Sequence, residues 1–368
     1  MIYFDNSATT MPYPEALRTY QEVSTKIFGN PSSLHQLGTS ATRILEASRK
    51  QVTSGGTEGD NWVIKGVAFE KEPYGKHIIV SDIEHPAVKE SAKWLSEHGF
   101  EVSYIPVNAQ GFVDVEALAG LLRPDTILVS VMAVNNEIGS IQPIQEISAL
   151  LANEPTISFH VDAVQAIGKI PVSAYLTDRV DFATFSGHKF HAVRGVGFVY
   201  KKAGKKITPF LTGGGQEKDL RSTTENVAGI ASMAKALRLV TDKEEFSLPK
   251  IAKMKKIIFD ELAKYEDITI FSGEGEDFAP NILTFGIKGV RGEVVVHAFE
   301  EHQIYISTTS ACSSKAGKPA GTLISMGIPT KLAQTAVRIS LDDDNDMGQV
   351  EQFLTIFKQV YAKTQKVR

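Results

Sequence analysis

The first candidate for chemistry is a lysine that directly follows an apolar run. Lys189 ends the segment SGHK (186–189), which comes after the run 181–185. Most single lysines are solvated surface charges. An amine in a desolvated pocket, however, loses proton affinity and becomes a nucleophile toward an aldehyde. We therefore predict a Schiff-base lysine at 189, with Ser186 and His188 as donors to a phosphate group.

A carboxylate at the end of another apolar run is the second candidate. Asp162 follows ISFHV (157–161) and could cap the next helix or pair with the nitrogen of a pyridine-type ring. In the second role the carboxylate keeps the ring protonated, and a cationic ring accepts electrons. Gln165, one turn further on, could then reach a hydroxyl of the same ring.

Three other segments carry weaker signals. SGGTE (54–58), which includes Thr57, predicts a helix N-terminus, where free N–H groups attract phosphate. His85 could stack on a flat ring and transfer protons, or it could be a structural histidine. Asn136 lies in a loop that would face the same crevice.

Arg338 and Cys312 could act on a substrate. Arg338 lies in the apolar run 337–340, where a guanidinium needs an anion, either a structural carboxylate or the α-carboxylate of an amino acid. Cys312 is the single cysteine of the chain, and a lone cysteine is often a small buried hydrophobe. In an exposed loop near Lys315 or Lys318 its thiolate would be favoured, and a thiolate can attack sulfur.

Composition excludes several classes of protein. The chain has 368 residues, 42% of them hydrophobic, and a formal net charge of -4, so no basic excess indicates nucleic acid or a membrane surface. No apolar run approaches the ~20 residues that span a bilayer, and the N-terminus does not resemble a signal peptide. One cysteine fits a reducing compartment. We expect a cytoplasmic protein.

Short apolar runs alternate with amphipathic segments between residues 77 and 200. Alternation of this kind predicts βαβ crossovers and an α/β fold with a mostly parallel central sheet covered by helices. We assign this large domain to residues 14–243. Its predicted strands are 77–80, 101–105, 126–132, 157–161, 181–185 and 196–200, and its predicted helices are 14–28, 86–98, 113–122 and 143–151.

After about residue 243 the pattern changes, which predicts a smaller α+β domain formed by residues 1–13 and 244–368. Helices are expected at 248–264, 293–302 and 347–362, and strands at 268–271, 281–287 and 304–307. Ligands of parallel α/β sheets bind beyond the carboxyl ends of the strands. His85, Asn136, Asp162 and Lys189 each follow a predicted strand closely.

Ten segments resemble those of the cysteine desulfurases, class V aminotransferase-type members of the fold-type I enzymes that depend on pyridoxal 5′-phosphate (PLP). They occur in the family's order across nearly the whole chain. They are DNSATT (5–10), GNPSSLH (29–35), TSGGTE (53–58), EHPAV (84–88), VNNEIG (134–139), HVDAVQAIGK (160–169), SGHK (186–189), GGGQE (213–217), APNI (279–282) and SACSS (310–314).

The resemblance implies a role for each cofactor-binding residue. Lys189 would carry PLP and shuttle protons, and Asp162 would pair with the ring nitrogen. His85 would stack on the ring and assist proton transfer. Gln165 would contact the ring oxygen, while Thr57, Ser186 and His188 would bind the phosphate. Thr224 would reach the phosphate of the partner subunit, which implies a homodimer.

The resemblance also implies a reaction. Asn136 and Arg338 would hold the carboxylate of L-cysteine. Cys312, in a long cysteine loop, would accept the sulfur as a persulfide and release alanine. The persulfide would pass to an acceptor protein for iron–sulfur cluster assembly or tRNA thiolation. A selenocysteine lyase, a kynureninase-like enzyme and an aminotransferase remain alternatives, because they would use the same Lys189 and Asp162.

Three segments depart from the family pattern. Only Val52 remains of the strand before Thr53, so we expect an internal piece of the sheet to be lost and Thr57 to be displaced. This shortening leaves a non-catalytic or defective variant as a further alternative. Residues 192–194 are Ala-Val-Arg where the family has Gly-Pro-Lys. Residues 341–344 are Leu-Asp-Asp-Asp where it often continues with Gly-Arg, which makes that end more acidic.

Overall fold

The computed structural model describes residues 1–48, 51–309 and 321–367. The predictions made for Cys312, Lys315 and Lys318 lie outside the described residues. In chain order the strands are β1 (Ile2–Tyr3), β2 (Gln51–Thr53), β3 (His77–Ser81), β4 (Glu101–Ile105), β5 (Thr126–Ser130), β6 (Ser158–Asp162), β7 (Phe182–Ser186), β8 (Gly197–Lys201), β9 (Ile268–Ile270), β10 (Ile282–Ile287), β11 (Ile304–Tyr305), β12 (Ser307–Thr308) and β13 (Ala336–Ser340).

The helices follow the predicted alternation. They are α1 (Pro14–Lys26), α2 (Gln36–Ser48), α3 (Gly56–Lys71), α4 (Pro86–Ser96), α5 (Val115–Leu121), α6 (Ile144–Leu151), α7 (Val227–Leu262), α8 (Gly292–Glu300), α9 (Gly321–Ser325), α10 (Thr330–Ala333) and α11 (Met347–Val367).

The central sheet has seven strands in the order β2-β8-β7-β6-β5-β3-β4. Strands β3 to β7 run parallel, and β8 and β2 are antiparallel additions at one edge. Side chains alternate across the sheet. Ile78 packs with α3 and α4, whereas Ile79 packs with α5, α6 and α7. The predicted α/β fold with a mostly parallel, helix-covered sheet is confirmed.

A second, antiparallel sheet has the order β12-β13-β10-β9. Its apolar core includes residues from β1, α8, α11 and the C-terminal half of α7. β1 pairs in parallel with β11, so the N-terminal strand contacts this part of the chain. The predicted single strand 304–307 is two strands, because Ile306 separates β11 from β12 and these belong to different sheets.

Helix α7 corrects another prediction. The helix expected at 248–264 begins at Val227 and runs for 36 residues, with Pro249 inside it. Proline is common in the first turn of a helix, which is why the sequence suggested a start near 248. The proposed division at residue 243 therefore falls within a continuous helix whose two halves pack in different cores. The division itself remains a prediction.

The shortened segment before Thr53 also differs from expectation. No internal strand is lost: β2 lies at the sheet edge, where Val52 pairs with Phe198 and Thr53 with Gly197. An edge strand has one partner, so three residues are enough to connect to α3. Thr57 lies in the first turn of α3 and lines the cavity described below. The expected displacement of Thr57 is therefore wrong as well.

Candidate active site

A cavity of about 640 Å³ opens at the carboxyl edge of the central sheet, within the range of small-molecule sites. It is lined by nine of the predicted residues: Thr57, His85, Asn136, Asp162, Gln165, Ser186, His188, Lys189 and Arg338. Thr224 is exposed and is not part of this lining. The structure thus brings together residues from α3, the central sheet and β13.

Lys189 lies in a single helical turn directly after β7. Its Nζ donates to the carbonyl oxygens of Ser7 (2.5 Å) and Ala8 (2.9 Å). The N-terminal segment therefore reaches across and holds the amine inside the cavity. Sequence patterns gave no indication of this contact, because it joins residues more than 180 positions apart.

Asp162 ends β6, and its Oδ1 accepts a hydrogen bond from Val164 N at 2.9 Å. Residues 164–169 form turns and no helix begins there, so the alternative in which Asp162 caps the next helix is wrong. Burial raises the pKa of Asp162 to about 6, although the Val164 N–H and the Lys189 charge limit the rise. A raised pKa indicates a carboxylate with too few positive partners. Gln165 Nε2 donates to Ser7 O at 2.9 Å.

The start of α3 offers free backbone donors. Gly55 precedes the helix and no side chain caps it, so the first N–H groups remain available to an anion. Gly197 allows β8 to approach this turn, because a Cβ there would lie 2.5 Å from Phe185 O and 2.8 Å from Gly55 Cα. Ser186 lies beside this turn.

Both histidines of the cavity are neutral. His85 Nδ1 accepts from Ala87 N at 3.1 Å, so Nε2 carries the proton. Burial, and then the charge of Lys189, lower the pKa of His85 to about 4. His188 has its pKa lowered to about 4 by burial, Lys189 and Arg194, and its Nδ1 lies 3.1 Å from Thr9 Oγ1.

Arg338 enters the cavity from β13. It donates to Asn136 O at 2.7 Å and pairs with Asp5 Oδ1 at 3.0 Å. Asp5 is the structural carboxylate that the sequence left open as one alternative. The buried Nε of Arg338 has no hydrogen-bond partner among the described residues. The bonds to Asn136 and Asp5 use two of the five guanidinium N–H groups, so donors on Nη1 and Nη2 remain for a ligand carboxylate.

Sequence analysis missed several buried acids around the cavity. Asp60, on α3, lines the cavity, and burial together with Asp162 raises its pKa. Glu84 has its pKa raised to about 8 by burial and Asp162, and burial raises the pKa of Glu137 to about 7. The sequence pattern could have indicated a buried Asp60, because it lies four residues from both Gly56 and Ile64, on an otherwise apolar helix face.

Within residues 1–48, 51–309 and 321–367, no helix has both the length and the apolar character needed to cross a lipid bilayer.

Comparisons with known proteins agree with this geometry. The family model described as aminotransferase class-V matches residues 2–353. A NifS/IcsS protein homolog of Lactobacillus delbrueckii subsp. bulgaricus is 50% identical, with 100% of this chain and 99% of that protein aligned. The cysteine desulfurase IscS of Methanosarcina thermophila is 38% identical, over 98% of this chain and 92% of that protein.

Solved structures give the same result. A structure described as a NifS-like protein has a TM-score of 0.91 at 35% identity, covering 98% of this chain and 99% of that chain. A second, described as SspA in complex with cysteine, has a TM-score of 0.80 at 27% identity, covering 93% and 99% of the two chains.

Proposed function

Because the chain belongs to the class-V aminotransferase family and is a NifS/IscS-like cysteine desulfurase, we propose that its cavity binds PLP at Lys189 and removes sulfur from L-cysteine. The observation that carries this proposal is a half-buried amine in the cavity whose charge acts on a buried carboxyl with a raised pKa. A Schiff-base cofactor with a ring nitrogen needs that pair of groups.

The residues present fit the cofactor. The carboxyl of Asp162 would gain a positive partner from a ring N–H. The uncapped start of α3, with Thr57, Ser186 and His188, would hold the phosphate. Once bound, PLP supplies an electron sink for the bonds around the substrate Cα. Gln165 donates to Ser7 O and could exchange this bond for the ring oxygen.

The protein side chains then have distinct tasks. Lys189 must leave the carbonyls of Ser7 and Ala8, after which its amine can carry a proton to and from the substrate. His85, neutral with its proton on Nε2, would stack on the ring and could assist proton transfer as a donor. Arg338 and Asn136 bind and orient the substrate carboxylate, the first through guanidinium N–H groups that its bonds to Asn136 and Asp5 leave unused.

Cys312 would accept the sulfur. Its thiolate attacks the sulfur of the substrate and a persulfide forms on Cys312. The carbon–sulfur bond breaks, its electron pair stays with the substrate carbon, and a proton completes alanine. The persulfide then passes to an acceptor protein, for iron–sulfur cluster assembly or tRNA thiolation. We place this function in the cytoplasm, with no direct nucleic-acid or membrane partner.

A homodimer would complete the site through Thr224 of the partner subunit. Thr224 is exposed in the single chain, and the same segment is anchored because Arg221 pairs with Glu58 at the start of α3. Exposed apolar side chains on and after α1 offer a surface for association: Leu17 is 51%, Phe28 70% and Leu34 101% exposed.

The test is product analysis. Protein supplied with PLP and a reductant is incubated with L-cysteine, and we expect alanine and sulfide in equal amounts. Cys312→Ala should lose this activity, whereas the matched neighbour Ser313→Ala should keep it. A full rate in Cys312→Ala would overturn the role of Cys312. 3-Mercaptopyruvate in place of alanine, formed when an α-keto acid is supplied, would favour the aminotransferase alternative. Turnover of selenocysteine alone would favour the selenocysteine lyase alternative.

A further inference from the structure

A second cluster of charges lies outside the cavity, between the chain segment that follows Lys189 and the end of β13; its centre is buried, Asp343 is half-buried and Lys243 is exposed. Its members are His191, Asp342, Asp343, Lys169 and Lys243, and we call it the clasp. His191 Nε2 lies 3.1 Å from Asp342 Oδ2 and 3.3 Å from Asp343 Oδ1. Lys169 pairs with Asp342 at 2.8 Å, and Lys243 pairs with Asp343 at 2.8 Å.

The contacts of His191 fix its charge. Its Nδ1 lies 2.8 Å from the carbonyl oxygen of Met11, which can only accept, so Nδ1 carries a proton. Its Nε2 lies at ion-pair distance from two carboxylates, outside hydrogen-bond geometry to either of them, and their negative charge favours a proton on Nε2 as well. His191 is therefore an imidazolium. It is 1% exposed, and it stacks on Tyr13 with ring centroids 4.1 Å apart.

The pKa directions agree with this assignment. Burial alone would lower the pKa of His191, but Asp342 and Asp343 raise it to about 9. Burial alone would raise the pKa of Asp342, but Lys169 and His191 lower it.

The same three side chains could in principle hold a divalent metal, since their ligand atoms lie within 4.8 Å of one another. Two ammonium groups argue against it. Lys169 and Lys243 each bind the other oxygen of one carboxylate, so both negative charges already have a positive partner. A dication at this position would leave excess buried positive charge.

The clasp connects two parts of the cavity. His191 lies two residues after Lys189, and Asp342 lies four residues after Arg338. The N-terminal segment joins the same assembly, because His191 N donates to Thr10 Oγ1 at 2.8 Å and Ser7 N donates to Ser340 Oγ at 2.8 Å.

The backbone of His191 is also constrained. Its φ is +64°, the left-handed region, which costs a non-glycine residue of order 1 kcal/mol or more. The contacts of His191 with Thr10, Met11 and Tyr13 hold this conformation.

We propose that His191 is a positioning residue which, clasped between Asp342 and Asp343, fixes Arg338 relative to Lys189 and thereby sets the affinity for the substrate carboxylate. The inference rests on the proposed function. Neither His191 nor the aspartates line the cavity, so the effect reaches the substrate through Arg338.

The experiment compares two ligands of the PLP-loaded protein, followed by cofactor absorbance. L-Alanine keeps the carboxylate, and ethylamine has the same amine without it. The first variant is His191→Phe, which keeps an aromatic ring to stack on Tyr13. The second is Asp343→Asn, which leaves residue 191 unchanged and serves if the first variant fails to fold. His297→Phe is the matched control, since His297 is exposed and pairs only with a surface glutamate in the described structure.

We expect the preference for L-alanine over ethylamine to fall about tenfold in both variants, with ethylamine affinity unchanged. An unchanged preference, or an equal loss for both ligands, would overturn the inference and leave the proposed function standing. Finding one bound metal ion per chain that EDTA removes would also overturn the inference. A wild-type protein without cofactor absorbance or without a preference for L-alanine would instead overturn the proposed function, and the inference with it.

Discussion

Two buried groups of acids in this protein have the same side-chain chemistry and opposite electrostatics. Asp60, Glu84 and Asp162 form an acid cluster at the cavity. Burial raises the pKa of all three, and Asp162 adds to the rise at Asp60 and Glu84. In the clasp, burial also opposes ionisation, but the nearby cations lower the pKa of both Asp342 and Asp343. The difference lies in the positive partners.

The acid cluster therefore has the electrostatics of a ligand-binding site, and the clasp has those of a structural support. A buried acid cluster with too few cations is unfavourable until a ligand brings positive charge. A clasp with its cations in place is stable without any ligand, and it holds neighbouring elements together. We therefore expect substitutions in the acid cluster to change chemistry more than stability, and substitutions in the clasp to change stability more than chemistry.

The largest effect is expected for Asp162→Asn. Because the ring nitrogen would lose its carboxylate partner, alanine formation from L-cysteine should fall by about 10²-fold or more. The cofactor-free variant should unfold at the same or higher urea concentration than wild type, since an unfavourable buried charge is gone. Asp260→Asn, at an exposed acid on α7, serves as control. A strong loss of stability would show that Asp162 is structural.

Asp342→Asn should have the opposite profile. It removes one member of a buried ion pair and leaves Lys169 without its partner, so we expect the free energy of unfolding to fall by about 3 kcal/mol. Urea denaturation of the cofactor-free protein measures this. If Asp342→Asn proved less destabilising than Asp162→Asn, the distinction between the two groups would fail.

The clasp also predicts a pH dependence. His191 has a pKa of about 9 in the folded protein against 6.5 for the free side chain, so its contribution is complete below pH 6.5 and is lost as pH rises through 9. The shift corresponds to about 3 kcal/mol. Tyr13, Lys169, Lys243 and the three aspartates 342–344 face the same group. Burial and Asp343 raise the pKa of Tyr13, whereas the nearby cations lower the pKa of Asp342 and Asp343 despite burial, so these shifts lead away from the window of His191.

Urea unfolding of the cofactor-free protein at pH 6, 7.5, 9 and 10 measures this contribution. We expect wild type to lose stability over this range and His191→Phe to lose clearly less. Parallel curves for the two proteins would contradict a charged His191.

The smallest effect is expected at an exposed ion pair. Lys256 pairs with Asp260 at 3.0 Å, with side chains 62% and 53% exposed, where solvent screens the interaction. Lys256→Met should leave the unfolding midpoint and alanine formation unchanged. A shift comparable to that of Asp342→Asn would mean that charge pairing stabilises this protein regardless of burial.

The sequence predicted the elements that have local signals. Alternating apolar runs gave the parallel sheet, and the glycines of TSGGTE gave the start of α3. Strand ends placed His85, Asn136, Asp162 and Lys189 around one cavity, because the carboxyl ends of parallel strands share an edge.

Long-range contacts could not be predicted in this way. Nothing local indicates that Ser7 and Ala8 hold Lys189, or that Asp342 faces His191 across 151 positions of the chain. The start of α7 was missed because Pro249 resembled a first-turn proline. The shortened β2 still forms because it is an edge strand and needs only one partner. A pattern of residue types does not show that β2 lies at the edge.

The most direct test of the account is to locate the cofactor. Purified protein is titrated with PLP, the absorbance near ~420 nm is followed, and borohydride then fixes the cofactor for peptide mass mapping. The account predicts a saturable band, with one equivalent on the peptide that contains Lys189 and none in Lys189→Ala. Absence of the band, or fixation at another lysine, would contradict it.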